Sequence, residues 1–193
     1  MSRSIRKLVK AGDVAGLVAI VGDPEAKDRP DALEAIVAFP EEHRDRILEA
    51  RRSILDASVP LIRDPDERIR AASVSLAALL RDPSAVGIVV GALSDPSPDV
   101  RLRALLGVFH LQPPACLDDV LRLLRDDEDQ HVRAFAAAAI ERIGDASSVP
   151  ALIEVRARER EPRVRDAIDE VVAILEGRHP PTPIEPFLED SPA

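Results

Sequence analysis

The sequence predicts an all-α solenoid assembled from tandem helix pairs. Three observations carry this reading. Apolar-Arg pairs recur at Ile69-Arg70, Val100-Arg101, Val132-Arg133 and Val164-Arg165, spaced 31, 32 and 32 residues apart. The apolar residues after each pair keep helical spacing and align between units. Apolar residues make up 46% of the chain, yet the only aromatics are four Phe, so Ala, Val, Leu and Ile must fill the core, as suits closely packed helices. About eleven helices in five to six pairs are expected.

Residues 1–63 read as divergent N-terminal capping helices. Ile5, Leu8 and Val9 predict a short opening helix, Gly12-Asp13 breaks it, and Leu17, Ile20 and Val21 form another. Residues 30–39 and 41–63 predict a degenerate hairpin, with Pro60 near the end of its long second helix. Divergence suits a terminal position, because a capping repeat must show one polar face to water.

The regular units span 64–94, 95–126 and 127–158, with a half repeat at 159–177. In the first helix of each unit, helix A, Val100, Ala104, Val108 and Leu111 match Val132, Ala136, Ile140 and Ile143, and then Val164, Ile168, Val172 and Leu175. Steps of four, four and three make one helical stripe. In the second helix, helix B, Val86, Val89, Val90 and Leu93 match Leu117, Val120, Leu121 and Leu124, then Val149, Leu152, Ile153 and Arg156. Asp82-Pro83, Pro113-Pro114 and Gly144-Asp145 separate A from B. One such hairpin cannot cover its own apolar face, so neighbours must stack. Residues 178–193 hold five prolines and predict an extended tail, whose Ile184, Phe187 and Leu188 could dock on the repeats or serve as a ligand for a partner.

An acid stands five residues before each apolar member of the recurring pairs: Asp64, Asp95, Asp127 and Glu159. An acid ahead of a helix can accept its N-terminal N–H groups, and an Arg beside a core residue can bridge outward with a two-pronged fork. The stretches DPDERIRAA and DPSPDVRLRA, with VPALI at 149–153, resemble HEAT repeats, most of all the bacterial HEAT-like group named after phycobilisome lyases. The pattern covers residues 64–176 well and 1–63 weakly. The resemblance implies a right-handed superhelix with A helices convex and B helices concave. It also implies a structural ladder between repeats, carried over to Asp64, Asp95 and Asp127 with Arg70, Arg101, Arg133 and Arg165; Glu159 replaces Asp in the last rung.

Acids outnumber bases 35 to 26, giving a net charge of −9, which disfavours a nucleic-acid partner. The N-terminal stretch is not expected to be a secretory leader, no apolar run is long enough to span a membrane, and a cytoplasmic protein is expected. The single Cys116 reads as a small core residue. No two of His43, His110, His131 and His179 share a helical i, i+3 or i, i+4 spacing. The acidic run before His131 lacks the central Gly of a calcium loop and reads as a solvated turn between repeats. No phosphate loop, nucleophile elbow or zinc set occurs, so no catalytic residue, cofactor or metal is expected.

Candidate partner-binding residues come from comparing B-helix positions. Gly87, Ile88 and Gly91 align with Asp118, Asp119 and Arg122, then with Pro150, Ala151 and Glu154. This sets an uncharged patch beside a charged one, with Ile88 as an apolar anchor and Asp118, Asp119, Arg122 and Glu154 reading polarity. The Gly87-x-x-x-Gly91 spacing predicts a close helix contact. A non-catalytic scaffold binding another protein through the concave B-helix surface is the leading expectation. A bilin-lyase-like enzyme or chaperone is the alternative, weakened by the scarcity of aromatics. A HEAT-like DNA-repair glycosylase ranks third, because it needs a basic face and stacking aromatics.

Overall fold

The computed structural model describes residues 1–181. Among them are eleven α-helices and no strand: α1 (Arg3–Ala11), α2 (Val14–Gly22), α3 (Arg29–Val37), α4 (Arg44–Ser58), α5 (Glu67–Leu80), α6 (Val86–Ala92), α7 (Pro98–Leu111), α8 (Leu117–Asp126), α9 (Gln130–Ile143), α10 (Val149–Arg158) and α11 (Pro162–Leu175). The protein is an all-helical repeat solenoid. Its helices fall into two compact units, Met1–Cys116 and the part from Leu117 onward. Most of the expected Pro-rich tail, from residue 182, lies outside the described residues.

In the first unit the A helices α3, α5 and α7 pack side by side, with α2 and α4 against one another and α6 against α5 and α7. Ile5, Leu17, Leu33, Ile36, Ile54, Leu76, Leu93 and Leu105 are fully buried between them. Alanines thin the contact face of α5, where Ala71, Ala72, Ala77 and Ala78 are buried, and this lets backbones approach. Gly107 shows how near they come: a Cβ there would lie 2.7 and 2.9 Å from the two Val89 methyl groups. Cys116 is buried, as its sequence context predicts, and its thiol donates to the Pro113 carbonyl at 3.1 Å.

The expected breaks are real turns with identifiable chemistry. Gly12 adopts φ 64° and ends α1, and the Asp13 carboxylate accepts the Gly16 N–H at 2.9 Å to start α2. Arg46 on α4 donates to the Ala11 and Gly12 carbonyls, 2.9 Å each, covering acceptors that the end of α1 leaves without partners. The long second helix expected over 41–63 is instead a 3-10 turn at Glu41–His43, α4, and a second 3-10 stretch at Val59–Arg63. Pro60 has no N–H to give to the carbonyl four residues back, so the chain tightens there. The Asp-Pro and Pro-Pro breakers follow left-handed residues, Arg81 (φ 47°) and Gln112 (φ 50°), which turn the chain out of α5 and α7.

In the second unit α9 lies between α8 and α11, and α10 packs on α11. Val120, Leu124, Val132, Ala136, Ile140, Leu152, Val164 and Ile168 form its core. The A-helix stripe is buried at its first three positions, Val132, Ala136 and Ile140, then Val164, Ile168 and Val172. The fourth positions, Ile143 and Leu175, are half-buried at the helix ends. The acidic run before His131 is a turn: Asp127 accepts the Asp129 N–H at 3.0 Å, and Asp129 caps α9 through the N–H groups of His131 and Val132.

Two substitutions test these local readings by urea unfolding. Gly107→Ala destabilises the protein by about 1–3 kcal/mol, because the new methyl must displace Val89. Gln112→Gly stabilises it by about 0.5–1 kcal/mol, because only glycine holds a left-handed backbone without steric strain.

Candidate interaction surface

Arginines tie successive repeats together within each unit. Arg70 on α5 donates through Nε and Nη2 to both carboxylate oxygens of Asp95, at 2.8 and 2.9 Å. Its Nη1 turns back to the Asp64 and Pro65 carbonyls at 2.9 and 3.3 Å. Arg133 on α9 repeats the geometry. It donates to Glu159 at 2.7 and 3.1 Å and to the Asp127 and Glu128 carbonyls at 2.9 and 3.2 Å. Arg101 makes the same inward bonds, to the Asp95 and Pro96 carbonyls at 2.9 and 3.0 Å. Asp64 accepts from Arg29 at 3.3 Å, a partner outside the repeat register that the sequence pattern does not reveal. The Arg165 guanidinium has no hydrogen-bond partner among the described residues.

Two of the rung carboxyls, Asp95 and Glu159, have shifted ionisation. Burial pushes Asp95 up, but the Arg70 guanidinium and the Ser97 N–H outweigh it and hold the carboxyl below its usual value. The Arg133 guanidinium, against the upward push of burial and with help from the N–H groups of Glu161 and Arg160, lowers Glu159 from 4.5 to about 2. The pair is well shielded, with side chains 14% and 6% exposed.

The B helices present two different surfaces. On α6, Gly87 and Gly91 face solvent, and a Cβ at either would meet nothing within 4 Å. The close helix contact expected from their spacing is absent among the described residues, whereas Gly107 of α7 makes one. Ile88 is 5% exposed and does not stand out as an anchor. Helix α6 is rotated so that Ile88, Val89 and Ala92 point inward, leaving half-buried Val86 and Val90 beside the glycines. The expected B stripe is shifted in the same sense elsewhere: Leu117 and Leu121 are half-buried, and Ile153 is 53% exposed.

In the second unit α8 carries Asp118, Asp119 and Arg122 near or at the surface, with Arg122 3.5 Å from Asp119. Glu154 of α10 is exposed and pairs with Arg158 at 2.9 Å. A cleft of about 460 Å³ includes Leu121 and Arg125 of α8, Ala151, Glu154, Val155 and Arg158 of α10, and the Arg133–Glu159 rung. Of the residues proposed from sequence for partner binding, only Glu154 lines it. Leu121 and Val155 supply apolar surface there, and sequence spacing had assigned Leu121 to the core. Among the described residues, no group of three or more His, Cys, Asp or Glu is placed to hold a metal, and no helix is long and apolar enough to cross a membrane.

Repeated helix pairs joined by arginine–acid rungs define the class of the protein as an α-solenoid. Residues 88–173 match the family model for HEAT repeats. Among solved structures it is similar to a computationally designed armadillo repeat protein for modular peptide recognition, at 22% identity and TM-score 0.68, over 89% of this chain and 85% of that one. A designed armadillo repeat protein in complex with the peptide (KR)4 is 21% identical with TM-score 0.65, over 87% and 85% of the two chains. The complex of CpcE and CpcF of phycocyanin lyase from Nostoc sp. PCC7120 matches at 21% identity and TM-score 0.58, over 83% of this chain and 98% of that chain. At these identities the likeness is one of fold. A comparison with curated proteins found no match.

Burial separates the worth of two ion pairs that look alike. Arg133→Ala should cost on the order of 3 kcal/mol in urea unfolding, because it strands a buried carboxylate and two loop carbonyls. Arg156→Ala should cost under about 1 kcal/mol, because its two-pronged pair with Asp169 is about half exposed. Acid gives an independent reading. Because the Glu159 pKa is lowered on folding, its contribution, on the order of 3 kcal/mol, is complete above the unfolded value and is lost as pH falls from about 4.5 toward 2. Hydrogen exchange of α9 and α11 in the full chain should accelerate over that window, and Glu159→Gln should flatten the response.

Proposed function

We propose that the protein is a non-catalytic scaffold that binds another protein on the solvent face of its B helices. The observation that carries this is the outward face of α6. Glycine is about 1 kcal/mol worse than alanine within a helix, and no packing among the described residues requires glycine at Gly87 and Gly91. A partner lying against α6 would supply that reason, because two missing side chains let another chain approach the helix backbone. In the second unit, taken by itself, Asp118, Asp119 and Arg122 of α8 and Glu154 of α10 would form a charged surface of their own, selective by charge. The solved peptide complex of a designed armadillo relative supports a polypeptide as occupant of such a fold. A lyase-like role is the second reading, favoured by the fold likeness to the phycocyanin lyase complex.

The test separates stability from binding. Gly87→Ala with Gly91→Ala should raise unfolding stability by about 1–2 kcal/mol, because both added methyls enter open space. Gly87→Glu with Gly91→Glu should leave the fold intact and abolish recovery of the stoichiometric partner that the unaltered chain retains after cross-linking in its source cell. Equal recovery by both chains refutes α6 as the binding face. A tetrapyrrole or DNA co-purifying in place of a protein refutes the scaffold.

A further inference from the structure

Helix α1 carries charge of one sign. Arg3, Arg6, Lys7 and Lys10 are all exposed, while Ile5 is fully buried and Leu8 and Val9 are half-buried. Steps of three, one and three put the four cations in one stripe, opposite the apolar residues. Residues 1–12 hold no acid, so all 35 acids of the chain come after them, together with all but these four of its 26 bases. The four cations make no ion pair among the described residues. Acids on the helices packed against α1 are engaged elsewhere. Asp13 caps α2 through the Gly16 N–H at 2.9 Å, and in α3 Asp31 lies 2.9 Å from the Met1 ammonium and Glu34 lies 3.0 Å from Arg68.

This arrangement costs α1 helix stability. Arg3 is its first residue, where the helix dipole favours an acid, and no acid stands in the first turn. The pairs Arg3–Arg6, Arg3–Lys7, Arg6–Lys10 and Lys7–Lys10 set like charges one turn apart, and such pairs repel. A capping helix needs only a polar face, and a face of mixed sign meets that need. Every other charge-bearing helix among the described residues does mix signs. An anion supplied from outside the chain accounts for the exception.

We propose that α1 and the groove at its C-terminal end dock an acidic polypeptide segment of a partner, at a site separate from the α6 face. The groove, of about 560 Å³, takes its apolar surface from Ala11, Ala15 and Ala50. Ala11 stands one helical turn after Lys7, so the cation stripe leads into it. Asp13 and Glu49 also line the groove and disfavour a further acid there. The segment therefore lays carboxylates along α1 and places an apolar side chain beyond them. A nucleic acid fits less well, because it would extend past α1 and meet the part of the chain that holds every acid. A membrane surface would call on the apolar face of α1, and that face is turned inward with Ile5.

The site can be read directly by fluorescence anisotropy of a labelled peptide, six glutamates followed by two leucines, titrated with the full chain. Arg6→Glu with Lys7→Glu, both at exposed positions, should leave the circular dichroism spectrum unchanged and weaken binding at least roughly tenfold. A peptide with serines in place of the leucines should bind the unaltered chain roughly tenfold more weakly, because the groove then has no apolar side chain to cover. No binding, or equal binding by the charge-reversed chain, overturns the proposal. So does equal binding of the two peptides. Tighter binding of duplex DNA or of phosphatidylserine vesicles than of the leucine peptide also overturns it. Self-association of the unaltered chain that the charge reversal abolishes does the same, because a second copy is then the occupant.

Discussion

Every helix pair in this protein is one-sided. Its apolar stripe is too wide for the pair to cover alone, and within each unit the cover comes from neighbouring helices, α5 lying against α3 and α7, and α9 against α8 and α11. That requirement makes spacing between repeats the quantity the sequence has to control, and the buried arginine controls it. A single guanidinium serves two loops. One nitrogen accounts for carbonyls of the loop ahead of its own helix, and the other two hold the carboxylate of the following loop, as in Arg70 with Asp64 and Asp95. Lysine has no planar fork and could not meet both demands in one orientation. A buried ion pair adds little net stability over apolar packing, but a half-made one is strongly unfavourable. The rung therefore acts against wrong registers more than it strengthens the right one.

What the sequence revealed follows from this. Val132, Ala136 and Ile140 recur with their counterparts because each must face a neighbour at the same height, so the A helices were legible to the residue. The B helices were less so. They have seven to ten residues in α6, α8 and α10, and in two or three turns a stripe rotated by one position uses nearly the same letters. Ile88 and Val90 differ by two residues, and Ile88, expected outside, is buried while Val90, expected in the core, is only half-buried. Arg29 escaped notice because it reaches Asp64 from the first residue of α3, where no repeat position predicts an arginine. The cleft was hidden for another reason: it joins residues of two helices, and sequence spacing orders residues along one.

The candidate surface was legible in its chemistry but not in its shape. Asp118, Asp119, Arg122 and Glu154 are at or near the surface, and the glycines of α6 are uncovered. The meaning of those glycines changed once the structure placed them. A glycine pair on a helix suggests two backbones in contact, and within this chain that explanation belongs to Gly107, whose missing Cβ makes room for Val89. Gly87 and Gly91 give up helix stability with no neighbour among the described residues to account for it. Natural sequences depart from local preference mainly where function requires it, and this is why the pair, and not the more numerous surface charges, carries the functional reading.

The fold itself cannot decide between binding and catalysis. A similar fold is found in a designed armadillo repeat protein in complex with a peptide and in the complex of CpcE and CpcF of phycocyanin lyase. On the proposed scaffold reading, function resides in the few B-helix positions the core does not use. Those positions are set by packing before they are set by a ligand. In α6 the inward turn of Ile88 and Val89 sets Gly87 and Gly91 outward together, with Val90 half-buried beside them. In α8 the inward Val120, Leu123 and Leu124 leave Asp118 and Arg125 outside. A change in core phase would move the whole outer face with it, so the binding surface and the hydrophobic register have to evolve as one.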